Sequence, residues 1–159
     1  MKIAIGSDHA GFELKEHLKK HLARIGHDVL DVGTHSRDSV DYPDYGFAVG
    51  RAVASSQAER GVVICGSGVG ISIAANKVPG VRAGVAADLF TAHLMRAHND
   101  ANVIGFGARL TAVAHAEMLL ETFLQTAFEG GRHGRRVEKL NQGPGTPPSP
   151  EPKPPSSGE

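Results

Sequence analysis

Five short apolar runs alternate with segments of helical spacing, and that alternation restricts the chain to an α/β fold. The runs are Lys2–Gly6, Asp28–Val32, Gly61–Cys65, Val81–Ala86 and Asn102–Gly107. Between the first two, Leu14, Leu18, Leu22 and Ile25 fall on one helical face, and Gly26 supplies a stop. Tyr45–Ala58 is rich in Ala and Val and follows Pro43; Gly70–Asn76 is shorter. Asp88 reads as an N-cap for Leu89–Ala97. Thr111 reads as the cap of the longest helix, with Val113, Ala116, Leu120, Phe123, Leu124 and Ala127 on its buried face. The expected architecture is one domain: a three-layer α/β/α sandwich around a five-stranded parallel sheet, Rossmann-like, spanning residues 1–142. There is no internal repeat.

From Gly143 to Glu159 the composition changes, and seven of the nine prolines fall in that stretch. Such a segment has too little apolar surface to offset its ordering entropy, so it reads as a disordered tail. Lys and Arg number 17, as do Asp and Glu, which leaves no global field to attract nucleic acid or an anionic membrane. The chain opens directly on a strand without a charged-then-apolar leader, and no run approaches the ~18 apolar residues of a membrane span. Cys65 is the only cysteine, so no internal disulfide forms, and a reducing cytoplasm is the expected setting.

In an open parallel sheet the site lies beyond the carboxyl ends of the strands. The loop after the first run carries Asp8 and His9, the loop after the third is Gly66-Ser67-Gly68-Val69-Gly70, and the loop after the fifth carries Arg109. Glycines before a helix let backbone N–H groups approach a phosphate, a carboxylate or an enediolate oxygen, although a plain strand-to-helix turn uses the same residues. A dinucleotide loop is the sharper rival, since Asp88 lies 22 residues past Gly66. Against it, the spacing is G-x-G-x-G and Ile71 stands where the last glycine belongs.

Cys65 closes a strand at the mouth of a helix, and helix N-termini favour the thiolate of a cysteine placed there. A buried, inert thiol is the plainer alternative. Asp8 and His9 suit either proton transfer or a capped turn. His98, Asn99 and Asp100 end the fourth helix, where capping competes with proton transfer. His17, His21, His27 and His93 read as solvated, and no His/Cys/carboxylate spacing suggests zinc. Gly130–Arg136 is the one dense basic patch; Arg132 and Arg136 suit phosphate, and the alternative is a solvated helical turn. The patch has no interleaved aromatics, which disfavours nucleic acid.

The fourth and fifth helices start near the carboxyl ends of strands and run back. His98 and Arg132–Arg136 therefore belong at the opposite edge of the sheet from Asp8, Cys65 and Arg109. If one ligand uses both groups, a second subunit in a two-fold dimer must supply the second.

The segments SDHAGFELK, DYPDY (41–45), ICGSGVGISIAANKVPGVRA (64–83), RAHNDANVIGFGAR (96–109) and EGGRHGRRVE (129–138) resemble the type B ribose-5-phosphate isomerases, a family that includes allose- and galactose-phosphate isomerases. The resemblance covers about residues 1–141 and leaves out the proline-rich tail. It implies interconversion of ribose 5-phosphate and ribulose 5-phosphate in the pentose phosphate pathway, no metal or organic cofactor, and a homodimer or dimer of dimers. It implies Cys65 as the base on the C1–C2 proton, because Ile71 occupies the place of the glutamate used by another subgroup. His98 with Asp8 would open the sugar ring, and Ser67 would orient the base or O1. His9, Arg109, Arg132 and Arg136 match phosphate contacts; Tyr42, Gly66, Gly68, Val69, Gly70, Asn99 and His133 complete the implied substrate contacts. Two other functions stay open: isomerisation of a six-carbon aldose phosphate (allose 6-phosphate or galactose 6-phosphate), and a non-catalytic nucleotide-binding module.

Overall fold

The computed structural model describes residues 1–145. The sheet strands are β1 (Lys2–Ser7), β2 (Asp28–Asp31), β3 (Arg60–Cys65), β4 (Ala83–Val85) and β5 (Val103–Gly107). They pair in the order β2-β1-β3-β5-β4, and every pairing is parallel. The helices are α1 (Phe12–Arg24), α2 (Tyr42–Ala54), α3 (Val69–Asn76), α4 (Leu89–Ala97), α5 (Val113–Gln125) and α6 (Gly134–Gln142).

Alternation along the strands builds two cores. Ile3, Ile5, Val62, Ile64, Ile104 and Phe106 face α1, α4 and α5, where they meet Leu18, Met95 and Phe123. Ala4, Val63, Cys65 and Val103 face α2 and α3, where they meet Val49, Val53 and Ile71. The three-layer sandwich expected from the sequence is therefore present. Among the described residues no helix is long and apolar enough to cross a membrane.

Several expected boundaries shift for local reasons. α2 begins at Tyr42 and takes Pro43 into its first turn, where the missing N–H costs nothing. It ends at Ala54, since Ser56 has a positive φ of 60°. Ile25 caps α1 and is 38% exposed, so it leaves the buried face. Ala112, not Thr111, is the N-cap of α5, and no side chain caps it. α5 matches α1 and α2 at 13 residues, so none is the longest. Leu119 joins its buried face, whereas Val113 is exposed and Ala127 lies beyond its end. The basic patch runs through a short tight turn (Gly131–His133) into α6, a full helix rather than a single turn. His21 is not solvated: it is 4% exposed, with Nδ1 2.8 Å from Glu117 and Nε2 2.9 Å from Glu121. The disorder expected of the tail concerns mainly residues 146–159, which lie outside the described residues.

Candidate active site

β1 and β3 are neighbours, so their carboxyl ends deliver two loops to one place. The Asp8 amide donates to the Ile64 carbonyl at 3.2 Å, which ties the first loop to the end of β3. Asp8 is buried, and its Oδ1 accepts the Gly11 amide at 3.0 Å. The capping reading is thus correct for one carboxylate oxygen. His9 Nδ1 accepts the Val40 amide at 3.2 Å. That bond places the ring proton on Nε2 and makes Nε2 a donor.

Cys65 is the last residue of β3 and is 4% exposed. Its Sγ accepts the Gly68 amide at 3.2 Å. Gly68 has φ +79°, and a Cβ there would lie 2.8 Å from the Phe106 carbonyl carbon. Only glycine makes this turn without strain. Ser67 Oγ accepts the Val69 amide at 3.3 Å. Two of the loop amides expected to meet an anion are therefore already engaged within the loop.

The loop after β5 is stitched to the same place, since the Ala108 and Arg109 amides donate to Cys65 and Gly66. The Arg109 guanidinium lies over Gly66, where an added Cβ would stand 3.4 Å from it. Tyr42, at the start of α2, rests its ring against Gly70. A cavity of about 570 Å³ opens between these groups. Asp8, His9, Tyr42, Cys65 and Arg109 line it, together with Gly66, Ser67, Val69 and Gly70 of the glycine loop.

His98, Asn99, Arg132, His133 and Arg136 do not line this cavity. They gather at the end of α4 and the start of α6, as the edge argument anticipates. The His98 and His133 rings stack with centroids 4.1 Å apart and planes 8° from parallel. Asn99 borders a separate cavity of about 440 Å³, and its carbonyl accepts from Arg82. Asp100, with φ +45°, turns the chain after His98; its carboxylate accepts from Arg96 at 2.7 Å and from Arg82 at 3.0 Å.

Sequence reading placed Asp100 at the end of the fourth helix but missed its partners Arg82 and Arg96, which become visible only when α4 and β4 are placed together. It also assigned no role to Glu129. Ligand atoms of His98, Glu129 and His133 lie within 4.8 Å of one another, so the structure forms a His/carboxylate group that the spacing did not reveal. The two rings are parallel, however, so their Nε2 lone pairs run side by side rather than converging on one point. Burial pushes the His133 imidazole below its ordinary range, and neighbouring His98 and Arg132 push it the same way. Its Nε2 accepts from Arg132 Nε at 3.3 Å, as a neutral ring does.

Asp88 does not serve a nucleotide ribose as it stands. Its carboxylate accepts the Thr91 amide at 2.8 Å and the Thr91 hydroxyl at 2.7 Å, capping α4. The strand before it, β4, is separated from β3 by β5.

A parallel doubly wound sheet with a thiol, an acid, an imidazole and a guanidinium gathered in one cavity at adjacent strand ends defines an α/β protein with its polar groups collected at the carboxyl edge of the sheet. The chain belongs to the Ribose/Galactose Isomerase family, whose model matches residues 3–140. It is 48% identical over 139 residues to ribose-5-phosphate isomerase B of Escherichia coli (strain K12), covering 87% of this chain and 93% of that protein. Ribose-5-phosphate isomerase B of Clostridium thermocellum superposes with a TM-score of 0.88 at 49% identity, over 89% of this chain and 96% of that one. The Mycoplasma genitalium enzyme, solved with bound ribulose 5-phosphate, superposes with a TM-score of 0.85 at 40% identity, over 89% of this chain and 94% of that one.

Proposed function

We propose that the chain interconverts D-ribose 5-phosphate and D-ribulose 5-phosphate, with Cys65 as the general base and no metal or organic cofactor. The observation that carries this reading is the Cys65 sulfur in one cavity with Asp8, His9 and Arg109, in a chain whose relatives are ribose-5-phosphate isomerases. The working unit is a homodimer or a dimer of such dimers. In it one subunit supplies Asp8, His9, Tyr42, Cys65, Ser67 and Arg109, and the other supplies His98, Asn99, Arg132 and Arg136. The separation of the two groups within one chain supports this division. The lone thiol supports a reducing, cytoplasmic setting, where the reaction would serve the pentose phosphate pathway.

The chemistry follows from the groups present. His9 Nε2 and the arginines anchor the phosphate. His98 and Asp8 open the furanose: a proton leaves O1, the C1–O4 bond breaks, and a proton arrives at O4. The Cys65 thiolate then takes the C2 proton. The C2–H electron pair becomes the C1–C2 double bond and O1 becomes an oxyanion. The loop amides other than those of Gly68 and Val69, together with Asn99, hold that enediolate, each donor contributing up to ~3 kcal/mol. A proton passes from O2 to O1, and the thiol returns its proton to C1, leaving a carbonyl at C2. The thiolate is regenerated.

The family's description also covers galactose, so substrate length is the point to test. Purified protein should be offered ribose 5-phosphate, allose 6-phosphate and galactose 6-phosphate in parallel, with nucleotide binding measured alongside. Preference for the five-carbon sugar supports the reading. Preference for either six-carbon sugar replaces the substrate, and nucleotide affinity without turnover replaces the function.

A further inference from the structure

The ring-opening half of the proposed site holds a carboxylate that the scheme above does not use. Glu129 lies between α5 and α6, and its amide donates to the Ala97 carbonyl at 3.0 Å. That bond pins it beside the residue preceding His98. Glu129 Oε2 stands 3.6 Å from His98 Nε2 and 3.9 Å from His133 Nε2, so one carboxylate oxygen faces the same edge of both stacked rings.

The charges around this stack explain what such a carboxylate does. Arg132 donates to His133, and Arg136 stands near enough to disfavour a charged His133. Asp100, the carboxylate next along the chain from His98, is taken by Arg82 and Arg96. When His98 accepts the proton from the anomeric hydroxyl, an imidazolium forms beside these guanidinium groups. Glu129 is the acid placed to offset it. The His133 ring, held below its ordinary range by burial and by its charged neighbours, accepts from Arg132 as a neutral ring does, so it can stack on that imidazolium with little like-charge repulsion.

We propose that Glu129 is a positioning residue for His98, holding the Nε2 edge of the ring and compensating the charge His98 acquires as the furanose opens. The inference rests on the function proposed above. It follows the logic of a base oriented by a third group, with Glu129 acting through His98 and not on the sugar.

The test separates ring opening from the later proton transfers. Ribose 5-phosphate must open at C1–O4, whereas its 4-deoxy analogue lacks O4 and is always open-chain. Glu129→Gln and His98→Asn should be assayed on both substrates, singly and combined, after their folding is confirmed by thermal melting. Glu129→Gln is expected to lower kcat on ribose 5-phosphate roughly 10–100-fold, the range typical of an orienting carboxylate. Turnover of the 4-deoxy analogue should stay within about twofold of wild type. In the His98→Asn background, adding Glu129→Gln should cost nothing further. Equal losses on both substrates, or losses that add to those of His98→Asn, would overturn the proposal. So would an unchanged rate in His98→Asn, which leaves the isomerase reading standing. Wild-type protein inactive on both substrates would remove that reading and this proposal together.

Discussion

The Gly68 amide donates to the Cys65 sulfur at 3.2 Å, so the turn that starts α3 also fixes the thiol. The two are linked by a left-handed turn that has no room for a side chain, with the Phe106 backbone against Gly68. Gly68→Ala should therefore cost about 1–3 kcal/mol of stability from the strained backbone alone. It should lower kcat by more than tenfold, since the amide would no longer face the sulfur. Chemical denaturation and initial-rate kinetics on the same sample check both effects.

A second prediction concerns a buried charge on α1. Lys15 is 0% exposed, and its Nζ contacts the two Asp31 oxygens at 2.9 and 2.8 Å. Asp31 in turn accepts the Gly33 amide at 3.0 Å, and the Gly33 carbonyl accepts the Ser7 amide at 2.7 Å, one residue before Asp8. Asp31→Ala leaves the buried Lys15 ammonium with Glu16, 2.8 Å away, as its one remaining carboxylate partner, and should cost about 2–3 kcal/mol, whereas Lys15→Met should cost less. Urea unfolding of the two variants measures the difference.

The same pair sets an acid limit. Burial pushes the Asp31 carboxyl up, but hydrogen bonds from Lys15, Lys19 and the Gly33 amide outweigh burial and hold it below the usual carboxylate range. A carboxyl depressed in the folded state contributes stability above its unfolded value of about 3.9, and that contribution is lost as pH falls through the lower folded value. Melting temperature measured from pH 6 downward should fall less steeply below about pH 4 in Asp31→Asn than in wild type.

Much of the fold was legible because strand cores are local. Ile3–Ile5 and Val62–Ile64 need only their own apolar runs to announce a sheet. Cys65 and the glycine loop were legible because their chemistry also lies within a few residues. Lys15 was not, since its partner Asp31 is 16 residues away on β2 and a lysine on a helix normally points to water. His21 was misread for the same reason, because Glu117 and Glu121 reach it from α5. Glu129 and His98 lie 31 residues apart, and their pairing follows only once the segment after α5 packs beneath α4.

If each site draws on two subunits, inactive variants should complement each other. Cys65→Ala and His98→Asn each spoil every site in their own dimers. Mixed dimers hold one intact site, so random reassociation of equal amounts should restore about a quarter of wild-type activity. Activity after unfolding and refolding the mixture, compared with each variant refolded alone, measures this. No recovery, with dimers confirmed by sedimentation, would place both residues in the site of one subunit.

The central claim is that the Cys65 thiolate moves the proton without a metal. Formation of ribulose 5-phosphate from ribose 5-phosphate in excess EDTA, by wild type and by Cys65→Ala, addresses it most directly. The account predicts full turnover for wild type and a loss of at least about 10³-fold for Cys65→Ala, with an unchanged melting transition. Near-wild-type turnover by Cys65→Ala, or loss of wild-type activity on chelation, would contradict it.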